Sequence, residues 1–260
     1  MKIIVCIKQV PDTTEVKIDS KTGTLIREGI PSIINPDDKA GIEAAIQLKE
    51  KYDAHITVLC MGPSQAETAL KEAYAMGADR VILLSDRAFA GSDTWATSLT
   101  LSYAIKKLDY DLIICGRQAI DGDTAQVGPQ IAEHLNLPQV SYVTDIEKID
   151  SYLKVKKIFE DGYQIIKIKS PCLITVLKEM NNPRYMTINK IFNICNKQII
   201  ENWTINDIDM DANLTGLKAS PTQVKKIQTK SVKASGKVHN VEPQEGVKLI
   251  IDKLQEKFII

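Results

Sequence analysis

The sequence predicts an α/β fold organised around a doubly wound, mostly parallel sheet. Three observations predict it. Apolar runs of strand length (residues 2–8, 55–61, 81–84 and 112–114) recur through the first half of the chain, as buried parallel strands require. Between them lie segments with an apolar stripe at helical spacing, one of which sets Ala66, Ala69, Leu70, Ala73 and Tyr74 on one face. Aromatic content is only 5%, leaving a core of Ile, Val, Leu and Ala. Strand alternating with helix at this rhythm implies right-handed crossovers.

Bulk properties narrow the functional classes. A chain of 260 residues makes one large α/β domain or two small ones, and either buries a sizeable core. Lys plus Arg and Asp plus Glu both number 33, so no nucleic acid and no anionic membrane is expected as a partner. No apolar run reaches membrane-spanning length. The run from Met1 to Ile7 is too short for a signal peptide and meets Lys8, so a cytoplasmic location without membrane insertion is expected. Five cysteines are scattered without a CxxC pair and read as small buried hydrophobes in a reducing compartment. The three histidines, His55, His134 and His239, are too dispersed for a metal site.

Taken in order, residues 2–8 form the first strand, and its exit, Lys8 to Thr13, lies at the carboxyl edge where ligands of open α/β sheets sit. Residues 14–34 read as a two-stranded excursion, with alternation at Val16–Ile18 and Thr24–Ile26 around a turn. Asn35-Pro36-Asp37-Asp38 opens a helix: a capping residue, Pro at the first helical position, then acids in the first turn. The strand at 55–61 ends with Cys60 and Met61, and the helix after it stops at Gly77. Ser92 or Asp93 caps a further helix whose stripe is Leu101, Ala104, Ile105 and Leu108.

The strand at 112–114 leads into the most informative loop, Gly116-Arg117-Gln118-Ala119-Ile120-Asp121-Gly122-Asp123-Thr124-Ala125-Gln126-Val127. Val127, Ile131 and Leu135 then mark a helix. Strand, glycine-containing loop and helix form an arrangement that aims free N–H groups at an anion. Gly116 and Gly122 would let backbone approach a ligand. Asp121 and Asp123 repel phosphate and fit better as a helix cap and as acceptors for ribose hydroxyls. That leaves Thr124 and the N–H groups of Ala125, Gln126 and Val127 for phosphate oxygens. An ordinary capped loop fits the same local chemistry, and neither a Walker lysine nor GxGxxG is present. Cys6, Asn35, Met61 and Gly116 sit at neighbouring strand ends and converge on one edge.

After Pro138 the pattern changes. Residues 152–159 and 163–169 flank Glu160-Asp161-Gly162, a hairpin turn, and residues 171–176 read as another buried strand. From about residue 205 the composition turns polar, which suggests an arm (205–260) without a core, following an α/β domain at 1–204. The arm ends in a helix over 243–258 whose Val247, Ile250, Ile251 and Leu254 need a surface to cover.

Several of these motifs match one family. GRQAIDGDTAQVGP at 116–129 is similar to the nucleotide loop of electron-transfer flavoprotein beta subunits. The spaced residues Val155, Lys157, Glu160, Asp161, Gly162, Gln164, Ile166, Pro171, Leu173, Ile174 and Thr175 resemble that family's signature. Asn182-Pro183-Arg184-Tyr185-Met186-Thr187-Ile188 is similar to its partner-recognition loop, here about 181–195. The resemblance implies a Rossmann-like sheet of the adenine-nucleotide-binding type, with a β-hairpin insertion and a C-terminal arm packing on a flavin-bearing alpha subunit. It also implies nucleotide contacts from Cys6, Asn35 to Asp38, Met61 and Gly116 to Val127. Glu160 is implied to lie near the alpha-subunit flavin, and Arg184, Tyr185 and Ile188 to meet the partner dehydrogenase.

The family has two forms. In one the beta site holds structural AMP. In the other it holds FAD, which takes hydride from NADH and divides the electrons between ferredoxin or flavodoxin and an acyl-CoA-type dehydrogenase. The loop from Gln9 to Thr13, the Asn35-Pro36-Asp37-Asp38 turn and the stretch from Asp121 to Pro129, with Gly122 in it, resemble the FAD form. The rival class is a stand-alone adenine-nucleotide sensor of the universal-stress type, which shares the coarse fold.

Overall fold

The computed structural model describes residues 1–12, 31–224 and 236–259. Its elements run β1 (Lys2–Ile7), β2 (Gln9–Pro11), β3 (Ser32–Ile34), α1 (Pro36–Tyr52), β4 (His55–Met61), α2 (Glu67–Met76), β5 (Arg80–Leu84), α3 (Thr94–Ile105), β6 (Leu112–Gly116) and α4 (Val127–His134). They continue with β7 (Gln139–Ile149), β8 (Tyr152–Ile158), β9 (Tyr163–Lys169), β10 (Cys172–Val176), α5 (Ile188–Asn196), β11 (Ile200–Trp203), α6 (Gly216–Ala219) and α7 (Pro243–Glu256).

A 9-stranded sheet has the order β11-β5-β4-β1-β6-β10-β7-β8-β9. Strands from β11 to β7 run parallel, and β8 and β9 continue as an antiparallel hairpin. The expected doubly wound parallel sheet with a hairpin insertion is therefore present. β1 shows why the sequence folds this way. Ile3, Val5 and Ile7 face one apolar cluster with α1 and α2, whereas Ile4 and Cys6 face a second with α3 and α4. A strand buried on both faces reads as an unbroken apolar run, and each such Ile contributes about 1.5–3 kcal/mol on burial.

The excursion expected at 14–34 is described only at its end, where β3 pairs antiparallel with β2. Val16–Ile18 and Thr24–Ile26 lie outside the described residues.

β7 is an element the sequence reading did not contain. Its buried residues, Val140, Val143 and Ile146, fall at every third position. The register shifts against β10 and again against β8, and Tyr142 adopts a positive φ of 62°. These bulges abolish the two-residue alternation that marks a strand.

Residues 205–224 also differ from the expected coreless arm. They belong to the first of two compact units, Met1–Lys225, and bury Ile208 and Met210. Within the second unit, α7 begins with Pro243 and carries Val247, Ile250 and Ile251 exposed. Among the described residues, no helix is long and apolar enough to cross a membrane.

Candidate nucleotide site at the carboxyl edge of the sheet

The site starts from the first turn of α1. Asn35 is fully buried and occupies the helix N-cap position, yet its side chain makes no cap hydrogen bond. Instead Asn35 Nδ2 donates to the carbonyl of Gln118 at 2.8 Å, and its Oδ1 accepts from the N–H of Ile120 at 3.1 Å. Asp38 Oδ2 accepts from the N–H of Lys8 at 2.8 Å and its Oδ1 from the N–H of Gly116 at 3.0 Å. Asp37 Oδ1 accepts from the N–H of Lys178 at 3.0 Å, while its Oδ2 stands 3.5 Å from Arg117 Nε. The turn therefore stitches together the exits of β1, β6 and β10.

This arrangement changes the physical account of two sequence-predicted features. The acids of the first turn do more than offset the helix dipole, because both carboxylates are buried acceptors for backbone donors. Burial pushes the Asp38 carboxyl up to about 7, against the N–H groups of Lys8 and Gly116 that favour its charged form. Burial likewise raises Asp37, opposed by the Lys178 N–H and by Arg117. Gly116, expected to make room for a ligand, makes room for this turn. A Cβ there would overlap the Asp38 carboxylate and lie 2.8 Å from Asp37 Cβ and 2.9 Å from Asp38 N.

The loop beyond Gly116 is open at its tip. A Cβ at Gly122 would meet nothing within 4 Å. Asp123 and Ala125 both take left-handed backbone, with φ of 49° and 52°. α4 starts at Val127, later than the Asp123-Thr124 cap expected, and Gln126 at its N-cap position makes no side-chain cap bond. Asp123 accepts from Gln118 Nε2 at 2.8 Å instead of capping the helix. The N–H groups of Ala125, Gln126 and Val127 have no acceptor among the described residues. Free donors at a helix start, beside the Thr124 hydroxyl, suit phosphate oxygens.

Other predicted residues lie beneath this rim. Cys6 is the register partner of Cys115, and both are buried in the α3–α4 cluster. The neighbouring Cys6 thiol and burial together push Cys115 up. Met61 packs against the same cluster. Cys60 and Cys172 are also buried, as expected of small hydrophobes, and burial pushes each up to about 12. Cys195 is the exception and is exposed. The sequence reading missed Thr94, whose Oγ1 donates to Gln126 Oε1 at 2.8 Å. It also missed that residues 216–222 close against the start of α3. Ser92 Oγ accepts from the Gly216 N–H, and Asp93 Oδ2 accepts from the N–H and hydroxyl of Thr222. A long-range pairing of this kind leaves no trace in local spacing.

The segment read as a recognition loop is part loop, part helix. Residues 181–187 run along α1, and α5 begins at Ile188. Arg184, expected to meet a partner, is half-buried along α1. Its guanidinium and N–H donate to Glu43 at 2.9–3.1 Å, and it also pairs with Glu50. Asn181 Nδ2 donates to the carbonyl of Ala40, and Thr187 donates to that of Ala75. The polar residues are held down while Tyr185 and Ile188, 93% and 71% exposed, are presented outward. Glu160 stands exposed at the β8–β9 turn.

Comparison with known proteins accounts for this set of features. Residues 22–199 match the electron transfer flavoprotein domain. Over 260 residues, covering both chains completely, the sequence is 56% identical to the electron transfer flavoprotein subunit beta of Clostridium acetobutylicum. It is 51% identical over 263 residues to the caffeyl-CoA reductase-Etf complex subunit CarD of Acetobacterium woodii, again covering both chains completely. It is 46% identical over 269 residues, with the same coverage, to the acryloyl-CoA reductase electron transfer subunit gamma of Anaerotignum propionicum. Matches of this extent leave the stand-alone sensor without support, and the chain belongs to the electron transfer flavoprotein family, as a member of its beta-subunit branch.

Proposed function

We propose that this chain is the beta subunit of a bifurcating electron transfer flavoprotein and holds FAD along the carboxyl edge of its sheet. The observation that carries the reading is the loop from Gly116 to Val127, with its open tip at Gly122 and N–H groups at Ala125, Gln126 and Val127 that have no partner among the described residues. Those donors and Thr124 would hold the diphosphate, and Asn35 and Asp38 would keep the loop in place. FAD supplies hydride acceptance from NADH and the one-electron steps, so no side chain here needs to act as acid or base.

Two of the relatives carry names of reductase complexes, a caffeyl-CoA reductase-Etf complex and an acryloyl-CoA reductase, which supports a dehydrogenase of acyl-CoA type as partner. The chain would pair with a flavin-bearing alpha subunit, with Glu160 facing that flavin. Tyr185 and Ile188 would meet the dehydrogenase, and ferredoxin or flavodoxin would take the low-potential electron.

The test is to co-express the chain with its alpha subunit and extract the cofactors. Two FAD per heterodimer is the expected result. One FAD and one AMP would overturn the bifurcating assignment and leave the form with a structural nucleotide.

A further inference from the structure

We infer that Lys8 is a positioning residue of the nucleotide site, which neutralises Asp121 so that an acidic loop can receive a phosphorylated ligand. The inference rests on the nucleotide reading of the Gly116–Val127 loop. Lys8 follows β1 and is tied in by all three of its polar groups. Its N–H donates to Asp38 Oδ2 at 2.8 Å, and its carbonyl accepts from the Asn35 N–H at 2.9 Å. Its Nζ donates to both carboxylate oxygens of Asp121, at 2.7 and 2.8 Å. The Asp121 side chain is only 11% exposed, against 48% for Lys8.

The loop carries two carboxylates, and they are handled differently. Asp123 takes a hydrogen bond from the neutral Gln118 side chain. Asp121 is matched by a full positive charge at close range on both oxygens. An uncompensated Asp121 would set a negative charge within a few residues of the free donors at Ala125, Gln126 and Val127, and would oppose any anion bound there. With Lys8 in place the pair is close to neutral, and the N–H groups and the start of α4 dominate the local field. Because the main chain of Lys8 is fixed by α1, the ammonium is delivered from a rigid base.

The experiment uses the full chain co-purified with its alpha subunit and freed of its beta-site nucleotide, titrated with AMP and with adenosine. Lys8→Met should lower AMP affinity about tenfold, the size of one screened charge interaction, while adenosine affinity changes by less than about twofold. Lys8→Met combined with Asp121→Asn should restore AMP binding. Asp121→Asn alone, which leaves the β1 exit intact, should raise AMP affinity, because it frees the Lys8 charge now spent on Asp121. Equal losses for AMP and adenosine in Lys8→Met, or no loss of either, would overturn the inference. A fall for both ligands in Asp121→Asn would do the same and make Asp121 a ribose acceptor. If the unsubstituted complex binds neither ligand, the nucleotide reading itself fails, which is a separate result.

Discussion

Gly116 and Gly122 are the same residue type six positions apart, and they answer to different physics. Gly116→Ala should destabilise the fold, because the added carbon meets Asp38 N, a backbone atom at 2.9 Å that cannot swing away. A loss of about 1–3 kcal/mol in chemical denaturation is expected, as in other overpacked sites. Gly122→Val should leave stability within about 0.5 kcal/mol, as for an open surface position, and lower the beta-site nucleotide content of the purified complex. Asp38 gives a pH signature. Its carboxyl lies at about 7 in the fold against an ordinary value of 3.8, so the folded chain holds a proton that the unfolded chain has already released. Stability from this group therefore falls as pH rises from about 4 to about 7, then levels. Asp38→Asn should remove that slope, measured as the difference between thermal melts of the two proteins across this range. It should also lower stability by about 1–3 kcal/mol, since the new amide sets a donor against the Lys8 or Gly116 N–H. The sequence made Asp38 legible as a first-turn acid. Its burial was not legible, because the groups that bury it come from β1 and β6.

At the scale of elements, Arg184 and Ile188 separate folding from docking. Burial pushes Glu43 up, but the hydrogen bonds from Arg184 outweigh it and hold the carboxyl below its usual range. Arg184→Ala strands Glu43 in the interior, and a loss of about 3 kcal/mol in chain stability is expected. Arg184→Lys should recover only part of it, since an ammonium lacks the fork that spans two carboxylates. Ile188→Ala should leave the melting temperature unchanged and weaken dehydrogenase binding by about 1–3 kcal/mol. Binding assays beside thermal melts check both. The parallel strands were legible because burial on two faces writes an unbroken apolar run. β7 was not, because its bulges at Tyr142 and beyond Val143 break the alternation. The helical repeat of Ile188, Ile191, Phe192 and Cys195 was present in the sequence, but it covers only two turns and buries none of these side chains.

For the whole molecule, the boundary at Lys225 predicts how the chain tolerates shortening. A chain ending at residue 225 keeps Ile208, Met210 and the buried Thr100–Thr215 hydroxyl pair. Its thermal unfolding should match that of the full chain. A chain ending at 204 loses these groups and uncovers the α3 side of the sheet, and a lower, broader melt by circular dichroism is expected. Residues 205–224 read as an arm because they are polar on average, and an average cannot reveal two buried apolar side chains. α1 carries a consequence of another kind. Its positions 35, 37 and 38 hold the nucleotide loop and strand exits, while positions 43 and 50 hold the segment that presents Ile188. An α-helix turns 100° and rises 1.5 Å per residue, so both duties share one phase. A single residue inserted between Lys39 and Ile42 would swing one set of anchors a quarter-turn away from the other. Either the loop or the docking segment would come loose, though every side chain involved was still in the sequence. The helix is thus a gauge of fixed length, and substitution is tolerated along it far more readily than insertion.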